Sequence, residues 1–440
     1  MNASFFQDLL GSITERGRSL IERSGGRPGG RAAASPATLE ELCRDLLSGR
    51  GEASGVALAK QVLDLYGRAS AEDRLAFFRL LARDFGPDRD RLRAAWQDYD
   101  AAPTPPHLQA LLRVVEPPRQ ELFRRLNLAP GGTGALVRMR EDLLKLGGDD
   151  PDLLSVDDDL AHLLSSWFNR GFLVLRHIAW STPADILERI IRYEAVHEIQ
   201  GWDDLRRRVQ PSDRRCFAFF HPSMIDEPLI FVEVALTREI PASIQGLLAE
   251  ARETVPVGEA TTAVFYSISN CQPGLKGVSF GNFLIKQVVE ELSRELPSLK
   301  TFVTLSPVPG FAAWLRRQGA TPELPAGWPR DPAEAERARG ELLPLAAAYF
   351  LAAKGSGGKP VDPVARFHLG NGARLERLNW LGDTSAKGLR EAHGLMVNYL
   401  YDLRYIEANH EAFANHGTVV AADAVRRLLP ATSPVPEKVG

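Results

Sequence analysis

The sequence predicts an α+β protein in two parts: an all-α helical bundle over residues 1–178 and a mixed α/β domain over residues 179–440. Three observations lead there. The chain has 440 residues, which is long for a single core of ordinary size. Up to about Leu175, apolar residues recur at three- and four-residue spacing, the period of amphipathic helices. After about residue 180, short β-rich runs appear between helical ones, without the ordered β-α-β-α series of a large Rossmann sheet.

The elements follow in order. Residues 1–24 read as a short amphipathic helix with Phe5, Leu9, Leu10, Ile13 and Leu20 on one side, and residues 25–35 as a flexible Gly-rich linker. The sets Leu39/Leu42/Leu46/Leu47, Leu58/Val62/Leu63/Tyr66 and Leu75/Phe78/Leu80/Leu81 mark successive helices. Clusters such as Gly86-Pro87-Asp88 separate them, and no fixed-period repeat is visible. The bundle reads as a scaffold or oligomerisation region without chemistry. Thr182-Pro183-Ala184-Asp185 predicts a helix start with a threonine cap. Residues 215–220 (RCFAFF) and 229–236 (LIFVEVAL) predict a hairpin-like pair, and 263–268 and 301–305 predict two further strands. Between those two, residues 282–295 predict a helix that buries Phe283, Leu284, Val288, Val289 and Leu292. Residues 364–369 and 374–380, on either side of Gly370-Asn371-Gly372, predict a late β-hairpin.

Composition narrows the function. Apolar residues at 44% and charged residues at 25% are ordinary for a globular chain. A net charge of −3 excludes the electrostatic footprint of a nucleic-acid binder. The longest apolar run, residues 342–353, is about half a membrane span and contains Pro344, so no membrane association is expected. Cys43, Cys216 and Cys271 stand too far apart for a disulfide framework or a Cys-x-x-Cys metal site, which makes a reducing cytoplasm the simplest home. Asp8, Glu15 and Glu22 argue against a mitochondrial leader, and the end Glu-Lys-Val-Gly is no peroxisomal signal.

The most informative stretch is FYSISNCQPGLKGVSFGNFLIKQVVEEL, from Phe265 to Leu292. It runs from a strand, through a loop with Gly274, Gly277 and Gly281, into a helix. Glycines let backbone N–H groups come close to a phosphate, and a helix start adds unpaired donors and a positive dipole end. Lys276 adds charge. A surface loop capped by glycines fits the same spacing. Gly277-Val278-Ser279-Phe280-Gly281 also matches the G-x-S-x-G nucleophile elbow, but that motif sits directly off a strand and here seven residues intervene.

This strand–loop–helix resembles the acyl-CoA pyrophosphate site of the GNAT acyltransferase fold. A wider set of phrases occurs in order: HPSMIDEPLI from His221, VALT from Val234, FYSIS from Phe265, GVSFG from Gly277, LSPVPGF from Leu305, FHLGNG from Phe367, LNW from Leu378 and GLMVNYLY from Gly394. Together, over about residues 176–402, they resemble the malonyl-CoA decarboxylase family. The resemblance implies a helical oligomerisation domain followed by a GNAT-like catalytic domain, a homotetramer, and conversion of malonyl-CoA to acetyl-CoA and carbon dioxide in malonate or fatty-acid metabolism. The thioester itself serves as the electron sink for that reaction, so no cofactor and no metal is implied.

Four residues are expected to carry catalysis: Ser306, His368, Tyr401 and Ser267. Ser306 ends a strand at the stiff turn Pro307-Val308-Pro309-Gly310. By spacing alone it is a plain serine before proline; the resemblance makes it the catalytic serine of Ser-Pro-x-Pro-Gly-Phe. His368, in Arg366-Phe367-His368-Leu369, is placed on one strand face with Arg366. By itself it reads as a structural histidine among nine. The resemblance makes it the catalytic histidine, and a histidine can deliver a proton near neutral pH. Tyr401, placed to bond His368 or substrate, Ser267, on the strand before the loop, Tyr266 and Asn398 form a second tier, and interior packing with one satisfied polar group accounts for each of these four equally well. The resemblance assigns CoA binding to Lys276, Gly277, Val278, Ser279, Phe280, Gly281 and Asn282. The same residues leave two rivals open: an acyl-CoA-dependent N-acyltransferase and a CoA-ester-binding protein without catalysis.

Overall fold

The computed structural model describes residues 38–48, 51–278 and 284–429. The helix expected over 1–24 and the linker over 25–35 lie outside the described residues, as do Ser279, Phe280, Gly281 and Asn282. The chain divides into two units, each taken as far as it is described. One comprises Met1–Val174 with Phe220–Glu227 and Gln272–Phe280; the other comprises Leu175–Phe219, Pro228–Cys271 and Gly281–Gly440.

Over residues 38–167 the described part of the first unit is helical: α1 (Leu39–Leu47), α2 (Glu52–Arg68), α3 (Ala71–Arg83), α4 (Arg89–Ala101), α5 (Pro105–Val115), α6 (Pro118–Asn127), α7 (Gly132–Leu146) and α8 (Pro151–Trp167). Their starts are written locally. Thr38 and Glu41 form a reciprocal capping box, and Ser70, Asp88 and Asp150 each accept a hydrogen bond from a first-turn N–H. Leu46, Leu58, Val62, Phe78, Leu81, Phe123, Leu126, Leu136, Met139 and Leu160 share one buried core drawn from α1, α2, α3, α6, α7 and α8. The α4–α5 pair contributes no buried side chain to it.

The second unit holds most of a mixed sheet. Its strands are β1 (Val174–Ile178), β2 (Arg214–His221), β3 (Met224–Thr237), β4 (Thr262–Asn270), β5 (Thr301–Thr304), β6 (Ser306–Pro307), β7 (Arg374–Asn379) and β8 (Met396–Leu400). The order is β1-β2-β3-β4-β5-β8-β6, with β7 also on β8. β3 and β4 are antiparallel with a bulge between Glu233 and Val234, and β4 and β5 are parallel from Thr262↔Thr301 to Phe265↔Thr304. β5 and β6 lie along β8 in one antiparallel register, Val303↔Leu400 and Ser306↔Val397, broken at Leu305. The helices are α9 (Ala184–Tyr193), α10 (Trp202–Val209), α11 (Ile244–Leu248), α12 (Leu284–Glu295), α13 (Phe311–Arg317), α14 (Pro332–Leu351), α15 (Pro363–Gly370), α16 (Ala386–Ala392), α17 (Ile406–His416) and α18 (Asp423–Arg426). Among the described residues, no helix is long and apolar enough to cross a membrane.

The α+β class, a helical part followed by a mixed sheet, is the one the sequence predicts. The pair β2–β3 and the strands β4 and β5 fall where the β-rich runs lie. Two expectations are corrected. Residues 364–369 form no strand; they belong to α15, so there is no late hairpin, and Arg366 and His368 share no strand face. The cause is local: Asp362 accepts the Ala365 N–H at 2.7 Å and Pro363 occupies the first turn, which together start a helix. β7 pairs with β8 instead. The second correction concerns Thr182. Its hydroxyl caps no helix N–H but accepts the Ala179 N–H at 3.0 Å, and α9 begins after Pro183 without a side-chain cap.

Asp362 also fixes where α15 lies. Its other oxygen accepts the Tyr349 hydroxyl of α14 at 3.0 Å, and the carboxyl is fully buried. Asp362→Ala removes a helix cap and leaves the buried Tyr349 hydroxyl unpaired. The urea midpoint is expected to fall by the equivalent of about 2 kcal/mol or more, with Asp362→Asn recovering part of the loss.

Candidate active site

β8 supplies the framework of the site. Alternation along a strand sends Val397, Tyr399 and the following Tyr401 to one face, and Met396, Asn398 and Leu400 to the other. On the first face, the Tyr399 ring stacks on the His368 imidazole, with centroids 4.6 Å apart and planes 24° apart. His368 reaches this face from the last turn of α15.

Three of the four expected catalytic residues meet there. His368 Nε2 lies 3.2 Å from Ser306 Oγ, and His368 Nδ1 lies 2.8 Å from the Tyr401 hydroxyl. All three are nearly withdrawn from water: Ser306 is 5%, His368 3% and Tyr401 2% exposed. Burial lowers the His368 pKa from its ordinary value to about 3, so the imidazole is neutral at physiological pH. Burial also pushes the Tyr401 phenol well above its usual value, which keeps its proton in place.

Ser306 opens β6, just past the point where β4 and β5 part. Their pairing ends at Phe265↔Thr304, followed by one bond from the Leu305 N–H to the Phe265 carbonyl at 2.9 Å. β4 runs on to Asn270, while β6 turns its bonds to β8. A second polar set lies around Thr304. Its Oγ1 accepts the Ser306 hydroxyl at 2.8 Å and the Tyr399 N–H at 3.2 Å. From the other face, Asn398 Nδ2 donates to the Thr304 carbonyl at 2.7 Å, and Asn398 Oδ1 accepts from Asn379 at 2.9 Å and from Arg377 at 3.0 Å. Thr304 escaped the sequence reading, although two residues before a strand serine is the same face of the chain.

Ser267 is occupied elsewhere. Its hydroxyl donates to the buried Glu194 carboxylate, at 2.7 and 2.8 Å. That carboxylate also accepts the Val196 and His197 N–H groups at 2.8 Å, so it ties the end of α9 to β4. Tyr266 packs in an apolar cluster with Ala235, Ile244 and Met396, and its hydroxyl has no partner among the described residues. His221 accepts the Ser223 N–H at Nδ1 and packs against Phe168, in keeping with its place in the turn.

The described part of the glycine loop belongs to the first unit. Arg140 of α7 donates to the Gly274 and Lys276 carbonyls, both at 2.8 Å, and is itself held by Asp157. At Gly274 a Cβ would stand 1.9 Å from the Val137 carbonyl oxygen, so close packing on α7 requires this glycine. Gly277 has φ +80° with open space around it, a conformation that favours glycine. Lys276 and Gly277 are exposed and Val278 is buried.

Comparison with known proteins agrees across the chain. Residues 171–438 match the model of the malonyl-CoA decarboxylase C-terminal domain and residues 85–168 that of the N-terminal domain. The mitochondrial malonyl-CoA decarboxylase of Anser anser anser is 36% identical over 409 residues, 82% of this chain and 80% of that protein. The Mus musculus enzyme of the same name is 34% identical over 442 residues, 90% of this chain and 86% of that one. The crystal structure of malonyl-CoA decarboxylase from Rhodopseudomonas palustris is similar with a TM-score of 0.85 and 58% identity, covering 89% of this chain and 100% of that one. That from Agrobacterium vitis gives 0.84 and 57%, covering 89% and 99%. With both domain models matched in order and relatives aligned over most of its length, the chain belongs to the malonyl-CoA decarboxylase family.

Proposed function

We propose that this chain carries out its family's carboxy-lyase reaction on malonyl-CoA, with His368 as the proton donor and Ser306 as the group that holds the malonyl unit and relays the proton. The carbon–carbon bond to the free carboxylate breaks when that carboxylate stands out of the thioester plane. Its electron pair then flows into the thioester carbonyl as carbon dioxide leaves. The enolate that results needs a hydrogen-bond donor at its oxygen and one proton at carbon, and acetyl-CoA is complete. One such donor is worth about 3 kcal/mol in comparable sites.

The single observation that supports this most is the buried run from Tyr401 through His368 to Ser306 in a member of this family. A donor must hold a proton when the carbanion forms. The neutral imidazole of the free protein acquires that capacity when a malonyl carboxylate enters, since a nearby negative charge favours the charged imidazole. Tyr401 then serves as a positioning residue at Nδ1.

For the nucleotide end of CoA we propose Lys276, Gly277 and Val278 together with Ser279, Phe280, Gly281 and Asn282. The exposed Lys276, the left-handed Gly277 and the carbonyls drawn away by Arg140 support an anion-binding backbone there. We further propose that residues 179–440 form the catalytic domain and that residues 1–178, which carry helices α1 to α8, assemble a homotetramer, in a cytoplasmic enzyme of malonate or fatty-acid metabolism. The α4–α5 pair supports assembly, because Trp96, Leu108, Leu112 and Val115 stand exposed on helices with no buried face.

Four measurements test this reading. Purified protein given malonyl-CoA, chelator and no acceptor should form acetyl-CoA. Ser306→Ala and His368→Asn should each fold and lose turnover by about 100-fold or more; full turnover in either would overturn the assigned role. His368 also leaves a mark on acid stability. Between about pH 6.5 and pH 3 the unfolded chain binds a proton there that the folded chain refuses, so stability falls as pH falls through that window. His368→Asn removes this loss, and relative to the unsubstituted protein it should gain about 1.4 kcal/mol per pH unit lowered within the window. In sedimentation, Leu112→Asp should shift the assembly toward smaller species.

A further inference from the structure

Resting on the reading above, the geometry points to Thr304 as the positioning residue that sets the direction of the hydrogen-bond chain, committing the Ser306 hydroxyl proton to itself so that His368 rests with its hydrogen on Nε2. Thr304 is fully buried, and its Oγ1 is held as an acceptor by the Tyr399 N–H at 3.2 Å, a group that can only donate. The Ser306 hydroxyl donates to the same oxygen at 2.8 Å. A serine hydroxyl has one proton, so the side of Ser306 Oγ that faces His368 at 3.2 Å is a lone pair. A hydrogen bond at this contact therefore requires the hydrogen on Nε2. The imidazole is neutral, so Nδ1 is bare and accepts the Tyr401 hydroxyl at 2.8 Å.

The chain then reads in one direction: Tyr401 O–H to Nδ1, Nε2–H to Ser306, Ser306 O–H to Thr304. Its Nε2–H points at the serine oxygen, so a proton passes from His368 to Ser306 once the malonyl group, rather than Thr304, takes the Ser306 hydroxyl. Without the Thr304 acceptor, the Ser306 hydroxyl is released to turn and donate to Nε2. That favours the opposite tautomer in the resting site, with Nε2 bare and accepting, so that His368 no longer donates toward Ser306. Asn398 maintains the arrangement from the opposite sheet face by holding the Thr304 carbonyl at 2.7 Å.

The test combines kinetics with a tautomer measurement. Thr304→Val keeps the shape and removes the acceptor. We expect kcat for malonyl-CoA to fall at least about tenfold with KM changed by less than about threefold, and Thr304→Ser to recover most of kcat. In the unsubstituted protein, histidine side-chain nitrogen NMR, with the His368 signals assigned by their loss in His368→Asn, should show Nε2 protonated and Nδ1 bare. In Thr304→Val the populations should move toward Nδ1–H. Protonation at Nδ1 in the unsubstituted protein overturns the proposal, whether or not Thr304→Val folds. So does a folded Thr304→Val with unchanged kcat and tautomer while Ser306→Ala is inactive. Full activity of Ser306→Ala and His368→Asn would instead overturn the catalytic reading, and the tautomer measurement would still decide the direction of the chain.

Discussion

The imidazole of His368 is withdrawn from water with a hydroxyl at each nitrogen, and the surrounding structure answers to that condition. A charged imidazole in such a place lacks compensation, so the ring stays neutral and each nitrogen has a defined role as donor or acceptor. A neutral ring flanked by two hydroxyls has two possible orders of hydrogen bonds. The choice between them passes to whatever fixes the outer hydroxyls, here Thr304 on one side and the proton-retaining Tyr401 on the other.

Strand β8 makes these contacts possible because it serves three neighbours. β5 and β6 follow one another along one side in a single register, and β7 pairs with it as well. The interruption at Leu305 ends the parallel pairing with β4 and lets Ser306 start a new segment opposite Val397. Period-two alternation then divides the labour. Tyr399 and Tyr401 meet His368 on one face, and Asn398, Asn379 and Arg377 brace the Thr304 backbone on the other. Each buried polar atom in this brace has a partner, which is the condition for such a network to hold a single geometry.

The glycine loop illustrates how one residue type serves two ends. Gly274 is required by contact with the Val137 carbonyl, a packing reason, while Gly277 is required by its left-handed backbone in open space. Arg140 draws two loop carbonyls toward the helical bundle and so sets how this stretch of backbone is presented. Spacing in the sequence cannot separate these reasons, because both leave the same letter.

Local rules determined much of this protein. The helices α1, α2 and α3 are legible because the three- and four-residue apolar period is local, and the β-rich runs at β2 to β5 are legible because alternation and branching are local too, whereas the cap read at Thr182 is not one. Ser306 and His368 stand out in the sequence only through resemblance, since spacing gives each an ordinary alternative. The segment around His368 misled, as its apolar and polar residues alternate like a strand while the Asp362-Pro363 start makes it a helix. Tertiary structure alone decided that Ser267 spends its hydroxyl on Glu194, that Tyr401 meets His368, and that Thr304 receives the Ser306 proton. Those are bonds between residues far apart in the chain or set by a strand break, and their partners exist only after β4, β5, β6, β8 and α15 have come together.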